Sequence, residues 1–335
     1  MPSAGILDLP TEILLNVFGG VEDESLYHLA LLCRRLNLIA LPIYFSRRNV
    51  DLESESGVAC TLGGLGRWDI LPALQISLFI QSLEHLHCSI AHHTIEPSIT
   101  PFLRHIKRLE IFISRLSSVK KVSLHLASHD ANWSMSLKTG NEVCAWSSHV
   151  GNLLNCIVQR ECQYLSITDG SYIEPYRPSL TSRFTRRLVR RPIRSMPFPS
   201  VPTHLTTLVL DSATLLTLPT IDWVLGALRQ SPVNKLALVM QRGDAELWGD
   251  VLPRFATAAR CLTDLSLTEV PLDAEVVVLS VLDRFSLTDL YISSQQRLPD
   301  DSPRGPLPAL RDVARLGIRK KQNAWLRTAI AMRYQ

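Results

Sequence analysis

Metal-ligand residue types cluster once in the sequence, at His85-x-His87-Cys88 followed by His92-His93. Imidazoles and a thiolate are what zinc would use, but successive side chains on a strand alternate between faces. His85 and His87 then share one face while Cys88 points to the other. The three do not converge, so we expect surface histidines and no metal. Gly63-Gly64-Leu65-Gly66 lacks the Lys-Ser/Thr that completes a phosphate-cradling loop, and no clear strand precedes it. HExxH, GxSxG and a complete GxGxxG do not occur. Asp300-Asp301 and Glu22-Asp23-Glu24 fall in loops or caps, where solvation accounts for them without acid-base chemistry. We expect no catalytic residue and no cofactor, and read the chain as non-enzymatic. The strongest charge feature is Arg183, Arg186, Arg187, Arg190, Arg191 and Arg194, six arginines in 12 residues with no acid among them. Flanking prolines from Pro175 to Pro202 mark an insertion of about residues 174–203. It suits a nuclear-localisation signal or the docking of an acidic or phosphorylated partner, and equally a solvated loop.

Those groups must be held by a fold, and composition bounds what it can be. The 335 residues suit two domains, or a small module attached to a larger one. With 46% apolar and 20% charged residues, the chain is neither low-complexity nor mainly disordered. A net charge of +4 is too small to argue for nucleic acid, which we do not expect as a partner. The seven cysteines are scattered and form no CxxC pair, which suits neither a disulfide framework nor zinc and points to a reducing compartment. The first residues lack the basic region and cleavage site of a secretory signal. Leu26 to Phe45, the most apolar stretch, is broken by Arg34 and Arg35, so no membrane span is expected. Cytoplasmic and/or nuclear placement follows.

Helix punctuation divides residues 9 to 45 into three short helices. Pro10 suits a first turn, with Asp8 as cap and Glu12 at the positive helix end; Ile13, Leu14, Val17 and Phe18 follow at helical spacing. Gly19-Gly20 supplies a stop that exploits the left-handed conformation, and Asp23 caps the next helix, whose apolar face is Leu26, Leu29, Ala30 and Cys33. So small a bundle cannot bury all of Leu9, Ile13, Leu14, Leu31, Leu32 and Ile39, so apolar surface should remain for a partner.

Leu9-Pro10, Glu12-Ile13-Leu14, Val17-Phe18, Val21, Leu26, Leu32-Cys33-Arg34-Arg35 and Ala40 fall at fixed offsets without a gap. In this, residues 1–46 resemble an F-box; the departure is Leu36 where an aromatic usually follows the basic pair. The resemblance implies docking onto the small adaptor subunit of an SCF-type cullin-RING ubiquitin ligase. Leu9, Pro10, Ile13, Leu14, Val17, Leu32 and Cys33 would be the adaptor contacts or their immediate support. The alternative is an ordinary helical cap on the domain that follows.

Over residues 47–335 the motif L-x-x-L-x-L recurs eight times, starting at Leu83, Ile106, Val119, Cys162, Leu205, Val233, Leu262 and Leu287. Spacings are 23, 13, 43, 43, 28, 29 and 25 residues, and only the last three fall at or near the leucine-rich-repeat period. Amphipathic helices are expected after Pro219, Asp244 and Asp273 and over Asn141 to Gln159, with a further strand at Leu310-x-x-Val313 and a capping helix over Gln322 to Arg333. We expect an α/β architecture: a three-helix F-box followed by an irregular leucine-rich-repeat solenoid with a curved parallel sheet. A doubly wound sheet is the alternative, but its strands would read as continuous apolar runs, whereas these alternate. Alternation leaves an open face carrying His85, His87, Arg108, Glu110, Tyr164, Asp211, Asp264, Asp289 and Tyr291, whose mix of aromatics and charges suits a protein target. The expected function is substrate recognition within the ligase, with a target the sequence does not identify. A ligase-independent scaffold or nuclear protein, binding acidic partners or RNA through the arginines, is the second reading.

Overall fold

The computed structural model describes residues 5–50, 57–62, 69–90, 99–126, 135–136, 139–170, 173–174, 196–239, 245–270, 274–282, 284–294 and 316–317. The N-terminal module is a 3-10 turn (Ile6–Asp8) and three helices, α1 (Thr11–Gly19), α2 (Asp23–Leu32) and α3 (Arg34–Arg47). Leu14 and Phe18 of α1, Leu26 and Ala30 of α2, and Ile39, Ala40 and Phe45 of α3 form its core. The expected caps act differently. Asp8 accepts from the Gly5 amide at 2.7 Å and serves the 3-10 turn. Gly20 ends α1 in the right-handed region (φ −98°), so the stop uses no left-handed residue. Asp23 lies inside the first turn of α2, where its carboxylate accepts from Arg48 Nε at 2.9 Å and Arg47 Nη1 at 3.3 Å.

Arginines from α3 pin this small bundle. Arg35 donates to the Leu7 carbonyl, to the Leu9 carbonyl at 2.6 Å and to Thr11 Oγ1 at 3.5 Å. Arg47 donates to the carbonyls of Phe18 (3.2 Å), Gly19 (2.6 Å) and Val21. The second arginine of the basic pair therefore holds the Leu7–Leu9 strap in place. Burial works to raise the Asp23 carboxyl, but the bonds from Arg48 and Arg47 outweigh it and leave its pKa below the ordinary value.

Beyond the module come β1 (Val58–Leu62), α4 (Leu71–Ile76), β2 (Ser82–Ile90), α5 (Thr100–Arg115), β3 (Ser118–His125), β4 (Met135–Ser136), α6 (Gly140–Val158), β5 (Tyr164–Gly170), β6 (Ile173–Glu174), β7 (Thr207–Ser212), α7 (Ile221–Gln230), β8 (Lys235–Val239), α8 (Ala245–Ala258), β9 (Asp264–Val270), α9 (Glu275–Leu282), β10 (Asp289–Ser294) and β11 (Leu316–Gly317). The main sheet runs β1-β2-β3-β5-β7-β8-β9-β10-β11, and β4 pairs with β6 separately. Pairing is parallel from β1 to β10; β11 adds antiparallel. A doubly wound sheet would reverse its direction of growth at a switch point. This one never does, and parallel crossovers of one hand advancing one way place every helix on the same side. The architecture is therefore three N-terminal helices followed by a curved α/β repeat solenoid.

Register makes the core. Val58, Leu86, Val122, Leu165, Leu208, Leu236, Leu265 and Leu290 meet strand by strand. From one rung to the next the chain advances 28, 36, 43, 43, 28, 29 and 25 residues. The expected 23 and 13 have merged into one 36-residue repeat, because Ile106 starts no strand. Phe102, Ile106, Leu109 and Ile113 are buried at helical spacing on α5, and Ile111, the supposed third strand position, is exposed. The first strand, β1, was not expected; its Val58, Cys60 and Leu62 alternate but carry no Leu at the motif's first position.

Buried helix faces agree with the sequence over α6 (Val143, Trp146, Val150, Leu153, Leu154, Ile157) and α7 (Ile221, Val224, Leu225, Leu228). On α8, Val251 and Phe255 are buried, and on α9 Val278 and Val281 are. The cap of α6 is Thr139, whose Oγ1 accepts from the Glu142 amide at 3.2 Å while Glu142 Oε2 accepts from the Thr139 amide at 2.9 Å, a capping box. Asp244, Asp273, Leu310–Val313 and Gln322–Arg333 lie outside the described residues.

The helical module is joined to the solenoid by packing and by one buried side chain. Phe45 meets Phe79 edge-on, centroids 6.3 Å apart. Asn37, only 3% exposed, donates to the Ala30 carbonyl at 3.1 Å and the Ile76 carbonyl at 3.0 Å, and its Oδ1 accepts from the Leu78 amide at 3.2 Å. It thus ties α2 and α3 to the turn between α4 and β2. Replacing it with Leu removes the partner of the buried Ala30 carbonyl and of the part-buried Ile76 carbonyl and Leu78 amide, and Asn37→Leu should lower stability by about 2 kcal/mol in urea denaturation.

Candidate functional site

Two surfaces are candidates for a functional site. The first is the outside of the helical module. On α1, Leu14 and Phe18 face inward, so Ile13 and Val17, one residue earlier in each turn, face out. Leu9 and Pro10 are exposed beside them, Leu32 at the end of α2 is 71% exposed, and Cys33 is half-buried. Leu14, at 0% exposure, belongs to the core and supports the surface from within. Ile6, Leu7, Leu15, Leu31 and Leu38 are exposed as well. Of these, Leu31 was anticipated from the limited capacity of the bundle; the others were legible only as an excess of apolar residues over one helical stripe.

The second surface is the open face of the sheet. His85 and His87 stand there on β2, Tyr164 on β5, Asp211 on β7, Asp264 on β9, and Asp289 and Tyr291 on β10. Arg108 and Glu110 do not, because α5 carries them into the helical layer. There Arg108 Nη1 donates to Asp69 Oδ2 at 3.0 Å and Glu110 pairs with Lys107 at 2.8 Å. Lys235, which alternates with Leu236 and Leu238, joins the face and was readable from the Val233 motif. Across the middle of the sheet, His87 is in register with Ser123, then Ser166, Val209, Ala237, Ser266 and Tyr291. Arg183, Arg186, Arg187, Arg190, Arg191 and Arg194 lie outside the described residues, as do His92, His93, Gly63–Gly66 and Asp300-Asp301.

The histidine end of this face is closely packed. His87 and His125 rings lie 4.7 Å apart, and His85 Nε2 is 3.2 Å from Ser123 Oγ. Gly57 (φ +80°) makes this possible from the β1 side, since a Cβ there would come within 2.4 Å of the His85 backbone. Burial, then the neighbouring His125 and His85 rings, lower the His87 pKa, so the ring is neutral at pH 7. Among the described residues no three His, Cys, Asp or Glu side chains are placed to hold a metal. Two buried thiols are poor nucleophiles: burial and then Cys60 raise Cys88 well above the ordinary range, and burial pushes Cys162 up to about 12. No described helix is long and apolar enough to cross a membrane.

A short helical module with an apolar exterior, fused to a leucine-ladder solenoid with an open face, has the form of a binding protein. Residues 6–50 match the F-box-like family, so the module is an F-box-like domain. F-box domains are typically non-catalytic adaptor modules. No curated protein matches the chain.

The lowered pKa of His87 has a thermodynamic consequence. The unfolded chain titrates this ring near 6.5, above the folded value, so between the two the unfolded state binds more protons. Stability should therefore fall as pH drops below about 6.5. Replacing the ring by His87→Gln should flatten that fall, measured as the shift of the urea midpoint between pH 7.5 and 5.5.

Proposed function

We propose that this protein is the substrate-recognition subunit of an SCF-type cullin-RING ubiquitin ligase. The observation that carries the reading is where the exposed large apolar side chains sit. Nine of the fourteen among the described residues lie between Ile6 and Leu38, inside the F-box-like domain. A domain with its own buried core has no folding reason to concentrate them there, and such a concentration marks a partner surface. In this reading Leu9, Pro10, Ile13, Val17, Leu32 and Cys33 contact the small adaptor subunit, and Leu14 supports them. The open sheet face holds a protein target.

The chemistry is proximity. Holding the target near the charged conjugating enzyme raises the effective concentration of its lysines, and no residue of this chain need act as nucleophile, acid or base. The free cysteines suit the reducing environment of the cytoplasm or nucleus, where we place the complex.

Co-expression with the adaptor tests the reading. The wild-type chain should co-purify with it. Leu32→Asp, at a position already in solvent, should leave the circular dichroism unchanged and weaken binding at least 100-fold, about 2.7 kcal/mol. The double change Leu9→Ala, Pro10→Ala should weaken it as well. A wild-type chain that fails to bind the adaptor, or variants that bind as tightly as wild type, would reject the assignment.

A further inference from the structure

The open face has a small-residue floor and chemically opposite ends. Between His87 and Tyr291 the central row is Ser123, Ser166, Ala237 and Ser266 with Val209 among them, low enough for a partner's backbone to approach the sheet. At the β9–β10 end, Asp264 and Asp289 stand directly opposite one another in register. Like charges in that position work against the sheet. Neither carboxylate meets a cation among the described residues: Asp264 accepts from the Thr263 hydroxyl at 2.6 Å, and Lys235, the next residue of that row, makes no ion pair with it. No ion pair among the described residues accounts for this juxtaposition.

The β2–β3 end offers the converse. Lys121, in register with His85, is exposed and makes no ion pair among the described residues, while its neighbour Lys120 is engaged with Glu84 at 2.6 Å. Ser89, in register with His125 and two residues after His87, is 7% exposed, yet its hydroxyl has no hydrogen-bond partner. By strand alternation it stands on the open side, between the inward Cys88 and Ile90. A buried hydroxyl left unsatisfied is destabilising, and an acceptor supplied by a ligand would relieve it. One end thus has carboxylates engaged in no ion pair, and the other a hydroxyl without an acceptor.

We propose that the face binds an extended peptide segment laid across the strands, with an acidic residue against Lys121, Ser89 and the histidines, and a lysine or arginine between Asp264 and Asp289. The inference rests on the open face being the target-binding surface. Five strand steps separate the middle of the β2–β3 pair from the middle of the β9–β10 pair. At about 4.8 Å each they span about 24 Å, the length of about seven extended residues at 3.3 Å. The target class is therefore a peptide whose acidic and basic residues stand about seven positions apart.

The test is to pan a random 12-residue phage-displayed peptide library against the full chain, with Ser166→Arg, which fills the floor, as counter-screen. Support would be peptides that lose binding to Ser166→Arg and carry acid and base near opposite ends. Their affinity should fall at least tenfold with the double change Asp264→Asn, Asp289→Asn, and should fall no further when their basic residue is also replaced by Met. That double change relieves like-charge repulsion, so the urea midpoint should hold or rise. Peptides that need the face but show no charge separation, or are indifferent to the aspartates, would overturn the proposal while leaving the face as a binding surface. A library yielding no peptide sensitive to Ser166→Arg would overturn both.

Discussion

Parallel pairing in strict sequential order is the constraint from which the rest of this molecule follows. A parallel pair needs a crossover between its strands, and crossovers of one hand that always advance in the same direction stack on one side of the sheet. That side becomes the core. Val58, Leu86, Val122, Leu165, Leu208, Leu236, Leu265 and Leu290 form one ladder of it, with Trp146, Trp223 and Trp248 buried in the helical layer above. Among the described residues no helix covers the other side, so its positions are free to be polar. Both the leucine pattern and the open face are consequences of one topological rule.

A solenoid exposes its ends, and near the first end here the F-box-like domain packs against α4 and the turn that follows it. Asn37 is the joint. With both its amide nitrogen and its oxygen engaged across the boundary, it makes the orientation of α2 and α3 depend on the turn after α4. An apolar residue there would pack but would not fix that relation. Arg35 and Arg47 do similar work within the module, where α1 and α2 are too short to be stable by helix propensity alone. The same few contacts that stabilise the bundle therefore also set how its apolar exterior is presented. In the functional reading offered above, this rigid joint relates the adaptor-facing surface to the target-facing one, and the distance between them is what a proximity mechanism uses.

How far these features can be read from residues alone differs from one to the next. Leu9, Ile13, Leu31 and Leu32 were legible as surface because a three-helix bundle cannot enclose them, and Val17 through the F-box resemblance, whereas Leu14 and Ile39 had to be placed by packing. Ile106, Leu109 and Ile111 satisfy the strand motif as written, but Phe102, Ile106, Leu109 and Ile113 satisfy the helical period over a longer window, and the longer period won. Arg108 and Glu110 moved off the open face with them. Asn37 was invisible, since its partners Ile76 and Leu78 lie some 40 residues away and nothing local marks a buried amide.

By itself, then, the sequence determined the local periods: three short helices, seven of the eight parallel strands, and the division of each strand into inward and outward positions. These are near-neighbour properties, set by side-chain spacing of two or 3.6 residues. Only the tertiary structure decided which outward positions lie side by side. That Asp264 meets Asp289, that His87 meets His125, and that Ser89 is buried without a partner all depend on register between strands far apart in the chain. Register is fixed collectively by the leucine ladder, because a slip of one residue would turn every leucine of a strand toward water.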